Sequence, residues 1–300
     1  MRGTTDREAR SGNDSTSLWN AGGLLARLVF TALMTAPLLA SWGRAQGEPR
    51  IEIIAHRGAS HDAPENTLPA VELAWKQGAD AVEVDVHLTR DDQIAVIHDD
   101  STKETTGLDR LVRELTVQEL KTLDAGSWKG PEFQSTRIPT LEEVLKRIPD
   151  DKRVFIEIKC GPEILSALRR LIPQSGKRSD QIVFIAFSAE TIRLVKLEFP
   201  QHQAYWLSSF EQDKATGEWS PTAEELIDTA IQTGVDGINI AAKPAWNGAL
   251  VRQAKAAGLQ VYVWTINDSA QAARALTAGV DGITTDRPGW LREQLSKQPQ

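Results

Sequence analysis

The 300-residue chain contains a single cysteine, Cys160. An intramolecular disulfide is therefore impossible and a thiolate zinc site is excluded, so any bound metal must use oxygen or imidazole ligands. Cys160 closes the apolar stretch Val154-Phe155-Ile156-Glu157-Ile158-Lys159 and reads as a packing residue. Dense Lys/Arg runs are missing as well, and Asp plus Glu outnumber Lys plus Arg by 41 to 34. Without a basic footprint for a phosphate backbone, nucleic acid is excluded as a partner. Long apolar runs are also scarce. The candidate after Arg27, within residues 24–40, is about 13 residues, short of the about 20 that a membrane-spanning helix needs.

That run has the length of a signal-peptide core. Arg10 and Arg27 supply positive flanks, and Gly43-Arg44-Ala45 offers small residues before a cleavage site. Residues 1–46 are expected to be an export signal, cleaved after Ala45, which sends the protein to the periplasm or outside the cell. The alternative is a membrane anchor formed by residues 24–40, and membrane contact is expected only through this segment. Export does not require disulfides, because a large core needs no staple.

What is present is a globular composition, 41% hydrophobic and 25% charged. From residue 51 on, short β-branched runs alternate with stretches of helical period, the signature of βα units around a parallel sheet. Strands are predicted at 51–55, 81–86, 154–158, 182–186, 204–207, 237–240, 261–265 and 282–284. Helices are predicted near 65–77, 140–148, 162–172, 189–199, 222–233, 246–257, 269–278 and 288–296. Thr140 with Glu142 and Glu143 reads as a helix start, and Gly78, Gly234, Gly258 and Gly279 read as helix stops. Eight regular units fit a (β/α)8 TIM barrel over residues 47–300 better than a doubly wound sheet. One interval breaks the rhythm. Residues 88–98 read as a hairpin following the second strand, and an irregular insertion is predicted at about 99–138.

In such a barrel the reacting groups stand at the carboxyl ends of the strands. Polar residues gather there: His56-Arg57 after the first strand, Glu83 and Asp85 on the second, Glu157 and Lys159 at the third, Trp264 and Asn267 at the seventh, Asp286 at the eighth. A lone Glu-x-Asp is usually a solvated strand edge, and a lone His-Arg is equally bland. Their coincidence at successive strand ends argues for a site. The two-residue strand period puts Glu83 and Asp85 on one face, and likewise Glu157 and Lys159. Three carboxylates converging in a barrel repel each other unless a cation compensates, and hard oxygen ligands favour Ca²⁺ or Mg²⁺. Arg57 and Lys159 can then grip an anionic substrate. If the hairpin turns near Asp91, His98 faces position 84 and returns to the carboxylates, so that His56 and His98 flank one site as a proton-transfer pair. His61 and His202 read as surface residues, His87 as further along the carboxylate face, Trp264 as a substrate wall, and Asp286 as a helix N-cap or loop brace rather than a catalytic acid.

Taken in order, these segments resemble the glycerophosphodiester phosphodiesterases: Ala55-His56-Arg57-Gly58 with Pro64-Glu65-Asn66-Thr67, Glu83-Val84-Asp85-Val86 with Leu88-Thr89, Val96-Ile97-His98-Asp99, Ile138-Pro139-Thr140-Leu141, Glu157-Ile158-Lys159, Val263-Trp264-Thr265-Ile266-Asn267 and Thr285-Asp286-Arg287-Pro288. The resemblance runs from about 51 to 296. It implies a barrel that cleaves small-molecule glycerophosphodiesters to glycerol 3-phosphate and an alcohol. It further implies His56 and His98 as the acid/base pair, Glu83, Asp85 and Glu157 as ligands of one divalent cation, Arg57 and Lys159 on the phosphate, and Glu65 as a further metal ligand or a supporting group. Two departures stand out: Asp92 replaces the usual turn glycine, and Ala186-Phe187-Ser188 stands where Ser-Phe is common. Two rival expectations remain. A lysophospholipase D or phospholipase would use apolar loops, of which Trp128 and Phe133 are the candidates in 99–138; an inactive binding barrel would lack metal ligands, and none is missing.

Overall fold

The computed structural model describes residues 51–297; the predicted export segment lies outside them. Eleven strands and ten α-helices follow in chain order: β1 (Glu52–Ala55), α1 (Leu68–Lys76), β2 (Ala81–Leu88), β3 (Ile94–Val96), α2 (Lys103–Thr106), α3 (Val117–Leu120), α4 (Leu141–Leu145), β4 (Arg153–Ile158), α5 (Leu165–Gln174), β5 (Ile182–Ala186), α6 (Ala189–Glu198), β6 (Gln203–Ser208), β7 (Glu211–Gln212), β8 (Trp219–Ser220), α7 (Ala223–Thr233), β9 (Gly237–Ala241), α8 (Gly248–Ala256), β10 (Gln260–Trp264), α9 (Ser269–Ala278), β11 (Gly282–Thr285) and α10 (Pro288–Ser296). Eight parallel strands, β1, β2, β4, β5, β6, β9, β10 and β11, close on themselves through the β1–β2 and β1–β11 pairings. This is the (β/α)8 barrel that the alternating pattern predicts. Among the described residues no helix is long and apolar enough to cross a membrane.

The strand period divides the core into two layers. Inside the barrel, Ile54, Phe155, Val183, Ile185, Tyr205, Leu207 and Tyr262 pack together, with the Tyr205 and Tyr262 rings stacked at 4.8 Å. Residues of opposite parity, such as Ile53, Val82, Val84, Ile156 and Phe184, pack outward beneath the helices. Local chemistry agrees with this layout. Thr140 and Glu143 form a capping box at the start of α4, and α7 and α9 end on Gly234 and Gly279 in the left-handed region.

The hairpin of β2 and β3 is antiparallel, with Val86 opposite Val96, His87 opposite Ala95 and Leu88 opposite Ile94. Asp92 turns the chain with φ of 56°, the conformation that a glycine takes without strain. Residues 99–138 contribute no barrel strand. They wrap a small core of their own around Ile97, Val112, Leu115, Leu120 and Ile138. Two predicted helices are shorter than expected. Residues 65–67 form a loop, with Thr67 capping α1, and α4 ends at Leu145 rather than 148.

Candidate active site

The parallel register of β2 and β4 sets Asp85 directly opposite Glu157, and Glu83 lies two residues back on the same face of β2. One carboxylate oxygen from each of the three falls within 4.8 Å of the others, and all three residues are buried. Burial, reinforced by Asp85 and Glu157, pushes the Glu83 carboxyl well above its ordinary range; burial and Asp85 also raise Glu157, against the pull of Lys159. Glu83 Oε2 accepts the Arg57 backbone N–H at 2.8 Å, whereas Glu83 Oε1 is buried with no hydrogen-bond partner. An orphaned carboxylate oxygen facing two further carboxylates is an acceptor set that fits a hard divalent cation.

Two cations surround the triad. Arg57 Nη1 donates to Glu65 Oε1 at 2.8 Å, and Arg57 Nε lies 3.4 Å from Asp85 Oδ2. Lys159 Nζ, just past β4, donates to Glu157 Oε1 at 2.8 Å and sits 3.7 Å from Asp85 Oδ1. Burial disfavours both cations, yet Asp85 and Glu65 around Arg57, and Glu157 and Asp85 around Lys159, raise their pKa values above normal. Three buried carboxylates thus meet two cations, one of which Glu65 also claims. The balance stays negative.

The histidines complete the ring. The hairpin register, carried on two residues, sets His98 opposite Val84, and Ile97 N–H bonds Asp85 O at 3.0 Å. His98 Nε2 is 3.1 Å from Lys159 Nζ, and its Nδ1 is 2.6 Å from Asp99 Oδ1. His56, after β1, places Nδ1 2.7 Å from Asp286 Oδ1. His56, Arg57, Glu83, His98, Glu157 and Lys159 line one cavity of about 170 Å³, walled on its apolar side by Ile185, Phe187, Leu207 and Trp264. The Phe187 and Trp264 rings meet edge to face at 5.6 Å, and Trp264 Nε1 is anchored on Asn239 O at 3.1 Å.

Every residue predicted for the site lies at this end of the barrel, with Glu65 on Arg57 rather than in the triad. Other expectations change. His202 is buried, not on the surface, with its ring against Phe184 and Phe199 at 5.6 and 5.8 Å; a short α6–β6 turn tucks it under the helix layer. His87 turns from the carboxylates to donate to His98 O at 3.0 Å. Asp286 braces loops as expected, but Arg287, not Asp286, stands at the N-cap position of α10, with no side-chain cap, and the contact of Asp286 with His56 is one that sequence reasoning missed. Asn66 and Asp99 were missed too, although both sit beside quoted site residues in the sequence.

Comparison with known proteins places the geometry in context. The sequence model of the glycerophosphoryl diester phosphodiesterase family matches residues 56–290. This chain belongs to that family. The glycerophosphodiester phosphodiesterase of Caldanaerobacter subterraneus is 34% identical over 249 residues, covering 82% of this chain and 98% of that protein. A Bacillus subtilis glycerophosphodiester phosphodiesterase is 31% identical over 272 residues, covering 85% and 90%. Among solved structures, an Oleispira antarctica phosphodiesterase in complex with the product sn-glycerol-3-phosphate superposes with a TM-score of 0.74 at 31% identity, covering 82% of this chain and 97% of that one. As a member of the family the protein is a phosphoric diester hydrolase, and its buried acidic triad is a group that could hold a metal ion.

Proposed function

We propose that the protein hydrolyses glycerophosphodiesters to glycerol 3-phosphate and an alcohol, with Glu83, Asp85 and Glu157 holding one Ca²⁺ or Mg²⁺ ion and His56 and His98 moving protons. The observation that carries this reading is a cluster of three buried carboxylates, two of which, Glu83 and Glu157, open with two cations and two histidines on one cavity. When bound, a divalent ion would draw negative charge from the phosphate and acidify a neighbouring hydroxyl. Arg57 and Lys159 grip the phosphate oxygens, Arg57 through its planar fork. One histidine takes the proton of the glycerol 2-hydroxyl as that oxygen attacks phosphorus, and the other protonates the departing alcohol. Water then opens the cyclic phosphate with the proton transfers reversed. Trp264 and Phe187 shield the apolar edge of the glycerol from solvent.

Purified protein assayed on glycerophosphocholine with Ca²⁺ or Mg²⁺ tests the reading. Product should appear with at least one of the two ions and fall by at least about 10²-fold in His56→Ala and Glu83→Ala. Silence with both ions, or full activity in either variant, would sink it. Lysophosphatidylcholine in the same assay separates the lysophospholipase D alternative, which requires the lipid to be the better substrate. We also propose export through residues 1–46; a mature protein that retains those residues in the cytoplasm contradicts this.

A further inference from the structure

Both site histidines have a carboxylate on Nδ1, but the two carboxylates are held differently. Asp99 follows His98 in the sequence, and 41% of its side chain is exposed. Asp286 arrives from the far end of the chain, just past β11, and is gripped from three sides. Its Oδ1 lies 2.7 Å from His56 Nδ1 and accepts from Ser60 Oγ at 3.1 Å, while its Oδ2 accepts from Asn267 Nδ2 at 2.5 Å. Asn267 is fixed in turn: its Oδ1 accepts from Thr285 Oγ1 at 2.9 Å and from the Asp286 backbone N–H at 3.0 Å. The backbone N–H of His56 closes the circuit by donating to Thr285 O at 2.9 Å.

We propose that Asp286, fastened by Asn267 and Ser60, is the positioning residue for His56. It keeps the proton on Nδ1, leaves Nε2 as the nitrogen that exchanges protons with substrate, and stabilises the imidazolium formed when Nε2 gains one. An ionised carboxylate can only accept, so an imidazole bonded to it must present Nδ1–H. Burial alone would raise the Asp286 carboxyl, yet its contacts with His56, Asn267 and Ser60 outweigh that and hold it at about 2. Asp286 itself gains no proton in the cycle: one proton enters and leaves at Nε2. The proposal rests on the reading of His56 as a proton-transfer group.

The test compares Asp286→Asn, Asn267→Ala and Asp99→Asn with the wild type, with metal content and Tm measured on each. Asp286→Asn should lower kcat by at least about 10²-fold and by up to about 10⁴-fold, the loss that follows when the orienting aspartate of a Ser-His-Asp triad becomes an amide, with KM changed by less than about threefold. Asn267→Ala should lower kcat by about tenfold, through a looser Asp286. In a His56→Ala background the Asp286→Asn change should cost less than about threefold, because partners in one unit are not additive. Proton NMR supplies a readout that a purely structural role would not move: a downfield His56 Nδ1–H resonance, lost in Asp286→Asn and kept in Asp99→Asn. Wild-type kcat in folded Asp286→Asn, the same loss recurring without His56, or no such resonance in the wild type would overturn the proposal. Full activity in His56→Ala would instead remove the proposed function beneath it.

Discussion

Asn66 and Asp85 exchange two hydrogen bonds: the Asn66 amide donates to Asp85 Oδ2 at 2.8 Å, and its side-chain oxygen accepts from the Asp85 backbone N–H at 3.1 Å. Asn66 does this from φ of 56°, a left-handed conformation that Asn tolerates better than most residues. Its own N–H bonds Arg57 O at 2.9 Å. One residue thereby holds the carboxylate of Asp85 with its side chain and the loop carrying His56 and Arg57 with its backbone.

Replacing Asn66 by Ala is expected to weaken Ca²⁺ or Mg²⁺ binding by about 10- to 100-fold, as loss of a group that orients a metal ligand does. Calorimetric titration checks this. Unchanged affinity in a folded Asn66→Ala protein counts against a metal role for Asp85.

Glu83→Gln removes one of three mutually repelling buried carboxylates while its amide oxygen can still accept the Arg57 N–H. The metal-free variant is expected to be more stable than metal-free wild type by about 1 kcal/mol, yet to lose at least about 10³-fold in activity. Thermal unfolding in chelator, beside turnover, reads both. A Tm fall in chelator contradicts the repulsion argument.

The raised carboxyls give a pH signature. In the metal-free fold, Glu83 and Glu157 hold protons more tightly than in the unfolded chain, whose ordinary value is 4.5. Their contribution to stability is present below that value and is lost as pH rises through the elevated folded values. Metal binding needs the ionised ligands and so runs the other way. The Tm gain from a fixed excess of Ca²⁺ or Mg²⁺ is expected to grow between about pH 5 and about pH 8. Scanning fluorimetry across that range decides it; a gain that shrinks with pH points to a different binding site.

Phe187 is 44% exposed although it lies against Trp264 at the cavity wall. Phe187→Ala should raise KM for glycerophosphodiesters by about 3- to 10-fold and leave kcat within about twofold, the mark of binding lost equally in ground and transition states. Steady-state kinetics with two headgroups measures it. A kcat loss larger than the KM change would show that Phe187 aligns the reacting groups.

Much of this was legible from local pattern. The barrel strands announced themselves by β-branched runs, strand period alone puts Glu83 with Asp85 and Glu157 with Lys159, and the barrel brings the two pairs together through the β2–β4 register. The return of His98 required only the hairpin turn at Asp91 and Asp92. What escaped depends on contacts between segments distant in sequence. Asp286 reaches His56 only because β11 lies beside β1, and no local signal encodes that neighbour. His202 looks like a loop residue until α6 and β6 fold its ring between Phe184 and Phe199. Asn66 was hidden differently: it reads as an ordinary turn residue unless its left-handed backbone and the depth of Asp85 are both known.

The β1–β11 seam also sets a timetable. Synthesis delivers His56 and the three carboxylates early, but the strand that closes the barrel beside β1 and the aspartate that grips His56 come near the end of translation. A ribosome-bound chain therefore carries all three carboxylates before the lattice that orders the first histidine exists, and proton transfer through His56 must wait for the last strand.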